Sequence, residues 1–206
     1  MKIILNNRIL LLNASNFESE LTYPYAFIQV SEIASRFNIQ VICRELFGIP
    51  EEKLESYFIN LLNNERFDLI GITIRNVDSC DYLDYFSLDD KISSDEINFK
   101  NKYLPILNTK IVIRILRRIS KLPIIIGGFA FSIMPRKLMN YLKPDFGVFG
   151  GPDDIFEHFN ELINQQNLQT IQNLFYFEQN ILKAGPMKFF PPTSKKFKSF
   201  PGVSKT

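Results

Sequence analysis

The sequence predicts an α/β fold in which a doubly wound parallel sheet carries helices on both faces. Five apolar segments of strand length alternate along the chain with segments that have helical periodicity. The third of them, residues 67–74, is apolar almost throughout, as is typical of a strand buried on both faces of a sheet. These observations favour a flavodoxin-like (Rossmann-like) domain with a five-stranded parallel sheet over residues 1–165.

The strands and the first two helices are predicted from local patterns. The first helix, residues 26–37, has Phe27, Val30 and Ala34 on one face. The second helix, residues 51–63, follows Pro50 and has acidic residues in its first turn, where the helix dipole favours them. The strands are predicted at residues 8–13, 39–43, 67–74, 122–126 and 146–149.

Three further helices complete the predicted domain, and a hairpin follows it. The helices cover residues 105–120, 136–142 and 153–164, the first with an apolar stripe that includes Ile113 and Leu116. Residues 166–185 are predicted to form a C-terminal β-hairpin appendage, with its turn at residues 178–180. Residues 186–206 are rich in Pro, Lys and Ser, which favours a linker that leads to a further, missing domain.

The bulk composition excludes several function classes. The net charge of the 206 residues is +2, so no global charge attracts nucleic acid or an acidic membrane surface. No apolar run approaches the roughly 18 residues that a membrane span needs, and a cytoplasmic protein is predicted. Cys43 and Cys80 lack metal-site spacing, and Cys43 is predicted to be a small core residue.

Polar residues and glycines follow four of the five predicted strands. The carboxyl ends of parallel strands share one edge of a sheet, where ligands bind, and paired glycines allow close approach of the backbone. A site for a ligand is therefore predicted at this edge. The candidate residues are Asn13 and Ser15 after the first strand, Arg75, Asn76 and Asp78 after the third, Gly127, Gly128, Phe129 and Ser132 after the fourth, and Gly150 and Gly151 after the fifth.

The connection after the third strand, residues 79–104, is acidic but rich in aromatic residues. Loops of this length are usually functional or disordered, and the aromatic side chains favour an ordered flap that includes Tyr85. Catalytic groups are scarce: the single histidine, His158, lies within a predicted helix. The predicted site therefore holds a ligand that brings its own chemistry.

Several segments carry a family resemblance. They are YPYAFIQVSEIASRFNIQV (23–41), GITIRNVD (71–78) with the aromatic segment after it, PIIIGGFAFSIMP (123–135) and DFGVFGGPDD (145–154). In this order they resemble the N-terminal cobalamin (B12)-binding domain of B12-dependent radical SAM enzymes. The similarity covers residues 8–185, and the Arg-Asn-x-Asp strand end and the Gly-Gly-x-x-x-Ser-x-x-Pro loop are its most specific parts.

The resemblance implies that a corrin lies across the carboxyl ends of the strands. It places Arg75, Asn76 and Asp78 on the cobalt-facing side, and the flap with Tyr85 over the ring. The Gly127-Gly128 loop, with Phe129 and Ser132, would flank the corrin or its nucleotide tail. Asn13 and Ser15 would close the first loop, and Gly150 and Gly151 would form the turn after the fifth strand.

The sequence also departs from that family's pattern. An Asp-x-His-x-x-Gly motif is absent, so the cobalt is expected to lack a protein histidine ligand. The turn after the fifth strand reads Gly-Gly-Pro-Asp where the family often has Gly-Glu-Gly-Glu. The Cys-x-x-x-Cys-x-x-Cys motif is missing, so no iron–sulfur cluster is expected in this chain, and a radical SAM domain or protein is expected in cis or in trans.

The leading hypothesis is a cobalamin-binding module of a radical SAM enzyme of the methyltransferase type, without its catalytic domain. One alternative is a degenerate relative that serves as an interaction module and binds no corrin. A third hypothesis is a flavin- or nucleotide-binding domain, although no Gly-x-Gly-x-x-Gly follows the first strand.

Overall fold

The computed structural model describes residues 6–14, 25–74 and 105–188. The predictions for Ser15, Arg75, Asn76, Asp78 and Tyr85 lie outside these residues, and so do those for the whole aromatic segment, residues 79–104, and for residues 189–206 of the linker.

The described strands form one sheet with the order β2-β1-β3-β4-β5-β6-β7. Neighbours among the first five strands pair in parallel, and their order is that of flavodoxin-like doubly wound sheets. The strands are β1 (Arg8–Asn13), β2 (Gln40–Glu45), β3 (Leu69–Thr73), β4 (Ile124–Gly127), β5 (Phe146–Val148), β6 (Leu174–Glu178) and β7 (Ile181–Ala184).

The predicted five-stranded sheet is wrong in strand number, because the hairpin extends the same sheet to seven strands. Strand β6 pairs antiparallel with β5, with Tyr176 opposite Phe146 and Leu174 opposite Val148. Leu174 and Tyr176 are buried. The hairpin therefore covers an apolar strand that would otherwise present unpaired backbone groups at the edge of the sheet.

Seven helices surround the sheet in the described residues. The long helices match the predicted ones closely, but the helix at Phe129–Ile133 was not predicted. The helix expected at residues 153–164 is two helices with His158 between them. A 3₁₀ turn, Leu168–Thr170, follows them. The helices are α1 (Tyr25–Ser35), α2 (Glu51–Asn64), α3 (Pro105–Ile119), α4 (Phe129–Ile133), α5 (Pro135–Leu142), α6 (Asp153–Glu157) and α7 (Phe159–Ile163).

The two faces of the sheet carry separate hydrophobic cores. Leu10 and Leu12 of β1 face the core formed with α2, α3, α4 and α5, whereas Ile9 faces the core formed with α1, α6 and α7. Alternate residues of a strand point to opposite faces, so the continuous apolar runs serve both cores. Full burial of a side chain such as Leu10 stabilises the fold by about 1.5–3 kcal/mol.

Several charged residues of the described surface form ion pairs within the fold. Arg117 of α3 forms an ion pair with Asp145 at 2.7 Å, and Arg118 pairs with Glu55 of α2 at 2.7 Å. These contacts place two of the basic residues of α3 against carboxylates rather than on a free basic face. Within residues 6–14, 25–74 and 105–188, no helix has the length and apolarity that crossing a bilayer requires.

Cys43 lies on β2, which is an edge strand, and is half-buried rather than part of the core. Its Sγ lies 3.6 Å from the Ser31 hydroxyl of α1. Burial raises the pKa of the Cys43 thiol above its usual value, which keeps the thiol protonated at neutral pH.

Candidate functional site

The carboxyl ends of β1, β3, β4 and β5 form one edge of the sheet, which we call the rim. Asn13, Thr73 and Gly127 lie side by side there, because Asn13 pairs with Thr73 and Thr73 with Gly127 in the sheet register. The rim therefore brings together residues that are far apart in the sequence, as the parallel fold predicts.

The Gly127-Gly128 turn packs closely against β3 and β5. Gly128 has a φ of 98°, and a Cβ on it would lie 2.7 Å from the carbonyl oxygen of Ile74. A Cβ on Gly127 would lie 2.8 Å from Cγ1 of Val148. Since the Ile74 N–H also donates to the Gly127 carbonyl at 2.9 Å, these glycines fix the end of β3 directly before Arg75. Gly127 and Gly128 therefore allow the strand ends to pack closely, whether or not a ligand binds.

Ser132 joins the two Gly-Gly loops of the rim. Its hydroxyl lies one helical turn into α4, donates to the Gly128 carbonyl at 3.1 Å and accepts a hydrogen bond from the Gly150 N–H at 3.0 Å. The hydroxyl predicted to flank a ligand is therefore engaged in holding the loops after β4 and β5 together.

Phe129 and the second Gly-Gly loop offer accessible surface at the rim. The Phe129 side chain is 60% exposed, which is unusual for a large apolar residue next to a buried strand end. Gly150 has a φ of 70°, and no atom lies within 4 Å of the position that a Cβ would take. A Cβ on Gly151 would meet only the Asp153 carboxylate, at 3.0 Å. A planar ligand can approach the backbone of this loop without obstruction.

Asn13 lies at the rim but uses its side chain within the sheet. It is buried, and its amide donates to the Glu45 carboxylate of β2 at 2.8 Å. The Leu46 N–H donates to the Asn13 carbonyl at 3.1 Å. Asn13 therefore links β1 to β2, and its role in closing the first loop around a ligand stays a prediction.

A slot of about 350 Å³ runs beneath the rim, between the sheet on one side and α1 and α6 on the other. This volume lies at the small end of the range for ligand pockets. All four predicted site glycines line the slot at its mouth, and mostly apolar side chains line the rest of it. The described residues that line it are Ile9, Leu11, Ala26, Gln29, Val30, Ile33, Leu69, Gly71, Ile72, Thr73, Ile125, Ile126, Gly127, Gly128, Val148, Gly150, Gly151, Pro152, Ile155 and Phe156.

Gly71 explains why the slot exists. Across the sheet it lies between Leu11 of β1 and Ile125 of β4, and a Cβ on it would lie 3.0 Å from Cδ1 of Leu11. Any side chain at this position would occupy the floor of the slot. The sequence reasoning missed Gly71 as a site residue, although a glycine inside a buried strand often marks a close approach by a ligand or by another backbone.

The α6 wall of the slot is anchored from below the rim. The Gln172 N–H, just before β6, donates to the Asp154 carboxylate at 2.5 Å. Asp154 lies in the first turn of α6, where the helix dipole favours a carboxylate, and it also ties the helix to the residue before the hairpin. His158 follows α6 and is not among the described residues that line the slot.

The part of the site that the structure describes is an apolar space. Among the described residues, no three His, Cys, Asp or Glu side chains come together in a way that could hold a metal ion. The geometry provides a concave, mostly apolar space that opens at the rim, as is typical of ligand sites.

The fold resembles solved structures of cobalamin-dependent radical SAM enzymes. Two structures of the radical S-adenosylmethionine methyltransferase TsrM from Kitasatospora setae match with TM-scores of 0.67 and 0.65 at 19% and 20% identity. One of them was determined with tryptophan and a SAM analog bound, and the other with cobalamin and a [4Fe-4S] cluster. OxsB, with aqua-cobalamin and S-adenosylmethionine bound, matches with a TM-score of 0.55 at 10% identity.

The matches cover 87%, 90% and 89% of this chain but only 30%, 30% and 22% of the respective enzymes. The chain thus spans less than a third of their length. No protein-family model and no curated protein matches the sequence. The likeness predicted from the sequence motifs is thereby confirmed at the level of fold: the chain shares its α/β architecture with a part of these cobalamin-dependent radical SAM enzymes.

Proposed function

We propose that this chain is a cobalamin-binding module that acts with a radical SAM domain or protein, in cis or in trans, in a reaction of the methyl-transfer type. The observation that carries the proposal is the apolar slot under the glycine-lined rim. It occurs in a fold shared with enzymes whose structures hold cobalamin.

The dimensions of the site fit a cofactor with two parts. A corrin ring with its amide side chains is too large for a slot of about 350 Å³, so the ring would lie across the rim, over Phe129, Gly150 and Gly151. The flat aromatic base of the nucleotide tail is of a size and polarity that suit the slot. Bound methylcobalamin would supply a methyl group for transfer to a substrate radical.

The residues of this chain would bind the cofactor, orient it and exclude water. The sheet on one side and α1 and α6 on the other would cover the two faces of the base, and apolar burial would contribute roughly 25 cal/mol for each Å² removed from water. Ser132 would keep the loops after β4 and β5 at a fixed separation. The ring would therefore meet a preformed surface, which lowers the ordering cost of binding.

The remaining assignments extend the proposal to residues outside the described ranges. Arg75, Asn76 and Asp78 would line the cobalt-facing side, Tyr85 would belong to the covering flap, and Ser15 would close the first loop. We propose that the cobalt has no protein histidine ligand and that the iron–sulfur cluster belongs to the partner. Residues 1–165 would form the binding domain, residues 166–185 its hairpin and residues 186–206 a linker; a cytoplasmic location stays a prediction.

The test is a titration of the purified chain with hydroxocobalamin, followed by gel filtration and visible absorption of the protein peak. We expect corrin to co-elute with the protein, with a spectrum that lacks a nitrogen ligand on the lower face. An unliganded but folded protein peak at saturating corrin would exclude the proposal.

Two variants of α1 test whether corrin binds in the slot. Ala26→Phe places a ring at the slot mouth and should weaken corrin binding at least about tenfold, because the ring occupies the volume that the base needs. Ile28→Phe is the control, since Ile28 is 49% exposed on the outer side of the same helix. Equal affinities of the two variants would show that corrin binds elsewhere.

The alternative of an interaction module has one observation in its favour. Phe129 and Ile133 lie one turn apart on α4 and are 60% and 44% exposed. Such an exposed apolar pair can contact a protein partner as well as a corrin. Retained corrin in the titration would reject this alternative as a description of the whole function.

A further inference from the structure

The side chains that line the slot are almost all apolar, which bears on the kind of base that the slot can accept. Among the described residues that line the slot, only Gln29 and Thr73 have polar side chains. Thr73 ends β3 and so lies at the mouth, and Gln29 is an exposed residue of α1. The interior beyond them has no side chain that can donate or accept a hydrogen bond.

The backbone N–H and C=O groups in the floor of the slot are already hydrogen-bonded within the sheet. Leu11, Gly71 and Ile125 belong to three neighbouring strands that pair with each other in parallel. Their N–H and C=O groups lie in the plane of the sheet and serve its ladders. A base that enters the slot therefore meets aliphatic groups and the bare Cα of Gly71, with few partners for its own polar atoms.

Corrinoid cofactors differ in the base at the end of the nucleotide tail. A purine such as adenine carries an exocyclic amine and several ring nitrogens, whereas a benzimidazole has one free ring nitrogen and a phenol-derived base has none. Each polar atom that is buried without a partner weakens binding by roughly tenfold. Dimethyl groups on a benzimidazole add apolar area that the same walls would bury.

We propose that the slot selects corrinoids whose lower base is benzimidazole-like or phenolic, and that it rejects those whose lower base is a purine. This specificity rests on the proposed cobalamin-binding function and is assigned to the side chains of α1, α6 and the four strands that form the slot. The discriminating feature is the absence of polar side chains in the interior described above.

The test compares the dissociation constants of three corrinoids for the full chain: cobalamin, the analogue with adenine as lower base, and cobinamide, which has no nucleotide. We expect cobalamin to bind at least about tenfold more tightly than the adenine analogue. We also expect the adenine analogue to bind no more tightly than cobinamide, because its base stays out of the slot.

Each other outcome overturns the inference in a recognisable way. Equal affinity for cobalamin and the adenine analogue would mean that the slot does not discriminate. Equal affinity for cobalamin and cobinamide would mean that the base does not use the slot, while the corrin-binding function would stand. Failure of all three to bind would overturn the proposed function and this specificity with it.

One variant tests whether the lack of polar side chains in the slot causes the discrimination against the adenine analogue. Val30→Gln places an amide in the α1 wall of the slot, and it should improve binding of the adenine analogue relative to cobalamin by several-fold. Ile28→Gln, on the exposed side of the same helix, is the matched control and should leave the ratio unchanged. The ratio of two affinities is compared within one variant, so a general loss of stability does not imitate the effect.

Discussion

Gly128 and Gly150 both have positive φ angles but lie in different surroundings. Gly128 combines a φ of 98° with a ψ of −179°, a region that essentially only glycine adopts. A Cβ at this position would collide with the Ile74 carbonyl oxygen. We expect Gly128→Ala to lower the free energy of unfolding by about 3 kcal/mol or more. Gly150→Ala has open space and should cost only about 1 kcal/mol. Urea unfolding of both variants measures the difference, and equal losses would contradict the close packing at Gly128.

Ser132 has a testable role that does not depend on any ligand. Ser132→Ala removes the acceptor of the Gly150 N–H, so we expect a loss of about 1 kcal/mol in unfolding free energy and faster hydrogen exchange at the Gly150 amide. Ser35→Ala is the control, because the Ser35 hydroxyl bonds only the Glu32 carbonyl of its own helix among the contacts described. Unchanged exchange at Gly150 in the Ser132 variant would show that the two loops are held by other contacts.

The residues of the site differ in how far the sequence reveals them. Gly127 and Gly128 could be predicted because a glycine pair directly after an apolar run marks a strand end. The neighbours of Gly71 could not, because Leu11 and Ile125 join it only through the register of the sheet. The bridging role of Ser132 depends in the same way on a long-range contact with Gly150.

The hairpin turn at Gln179 and Asn180 provides a prediction at the scale of an element. The two residues have φ angles of 49° and 63°, and a two-residue turn with both values positive is of type I′, for which Asn-Gly is preferred. The double substitution Gln179→Asn with Asn180→Gly should stabilise the chain by about 1 kcal/mol and raise Tm by about 2–4 °C. Calorimetry checks this, with Asn180→Ala expected to lower Tm. An unaltered Tm in both variants would show that the hairpin does not limit stability.

Elements with strong periodicity were predictable, whereas the five-residue helix α4 and the break between α6 and α7 were not. Helix α2 was predicted to within one residue, because Pro50 and the acidic first turn mark its start. Helix α4 covers only five residues, too few to show a helical period. The break at His158 follows from a local backbone conformation, with φ at −104° and ψ at 30°, which no side chain in the sequence announces.

Binding of cobalamin should stabilise the whole molecule, because the rim and the slot exist only in the folded chain. At a free cobalamin concentration 100 times Kd, the gain is about 2.7 kcal/mol, which corresponds to a rise in Tm of about 5–10 °C for a chain of this size. Thermal unfolding followed by circular dichroism measures the shift, and cobalamin with the Ala26→Phe variant is the control. A Tm that is independent of cobalamin would contradict binding to the native state.

At the scale of the whole molecule, the sequence predicted the parallel core of the sheet and its two helical layers. It did so because parallel strands are buried on both faces, so that their apolar runs are visible without any knowledge of partners. The attachment of the hairpin to β5 was missed because the pattern of Leu174, Phe175 and Tyr176 indicates a strand but not its neighbour. The slot was missed for the same reason, since its walls come from four strands and two helices.

Asn173 holds the last described residues of the chain beside the rim. Its N–H donates to the Pro186 carbonyl, its side-chain oxygen accepts from the Lys188 N–H, and its own carbonyl accepts from the Phe149 N–H, next to Gly150. The chain is therefore tethered beside the rim as far as Lys188. If the proposed function holds, a catalytic unit joined after Lys188 would start close to the rim, and its encounter with a ligand there would be intramolecular and need little affinity of its own.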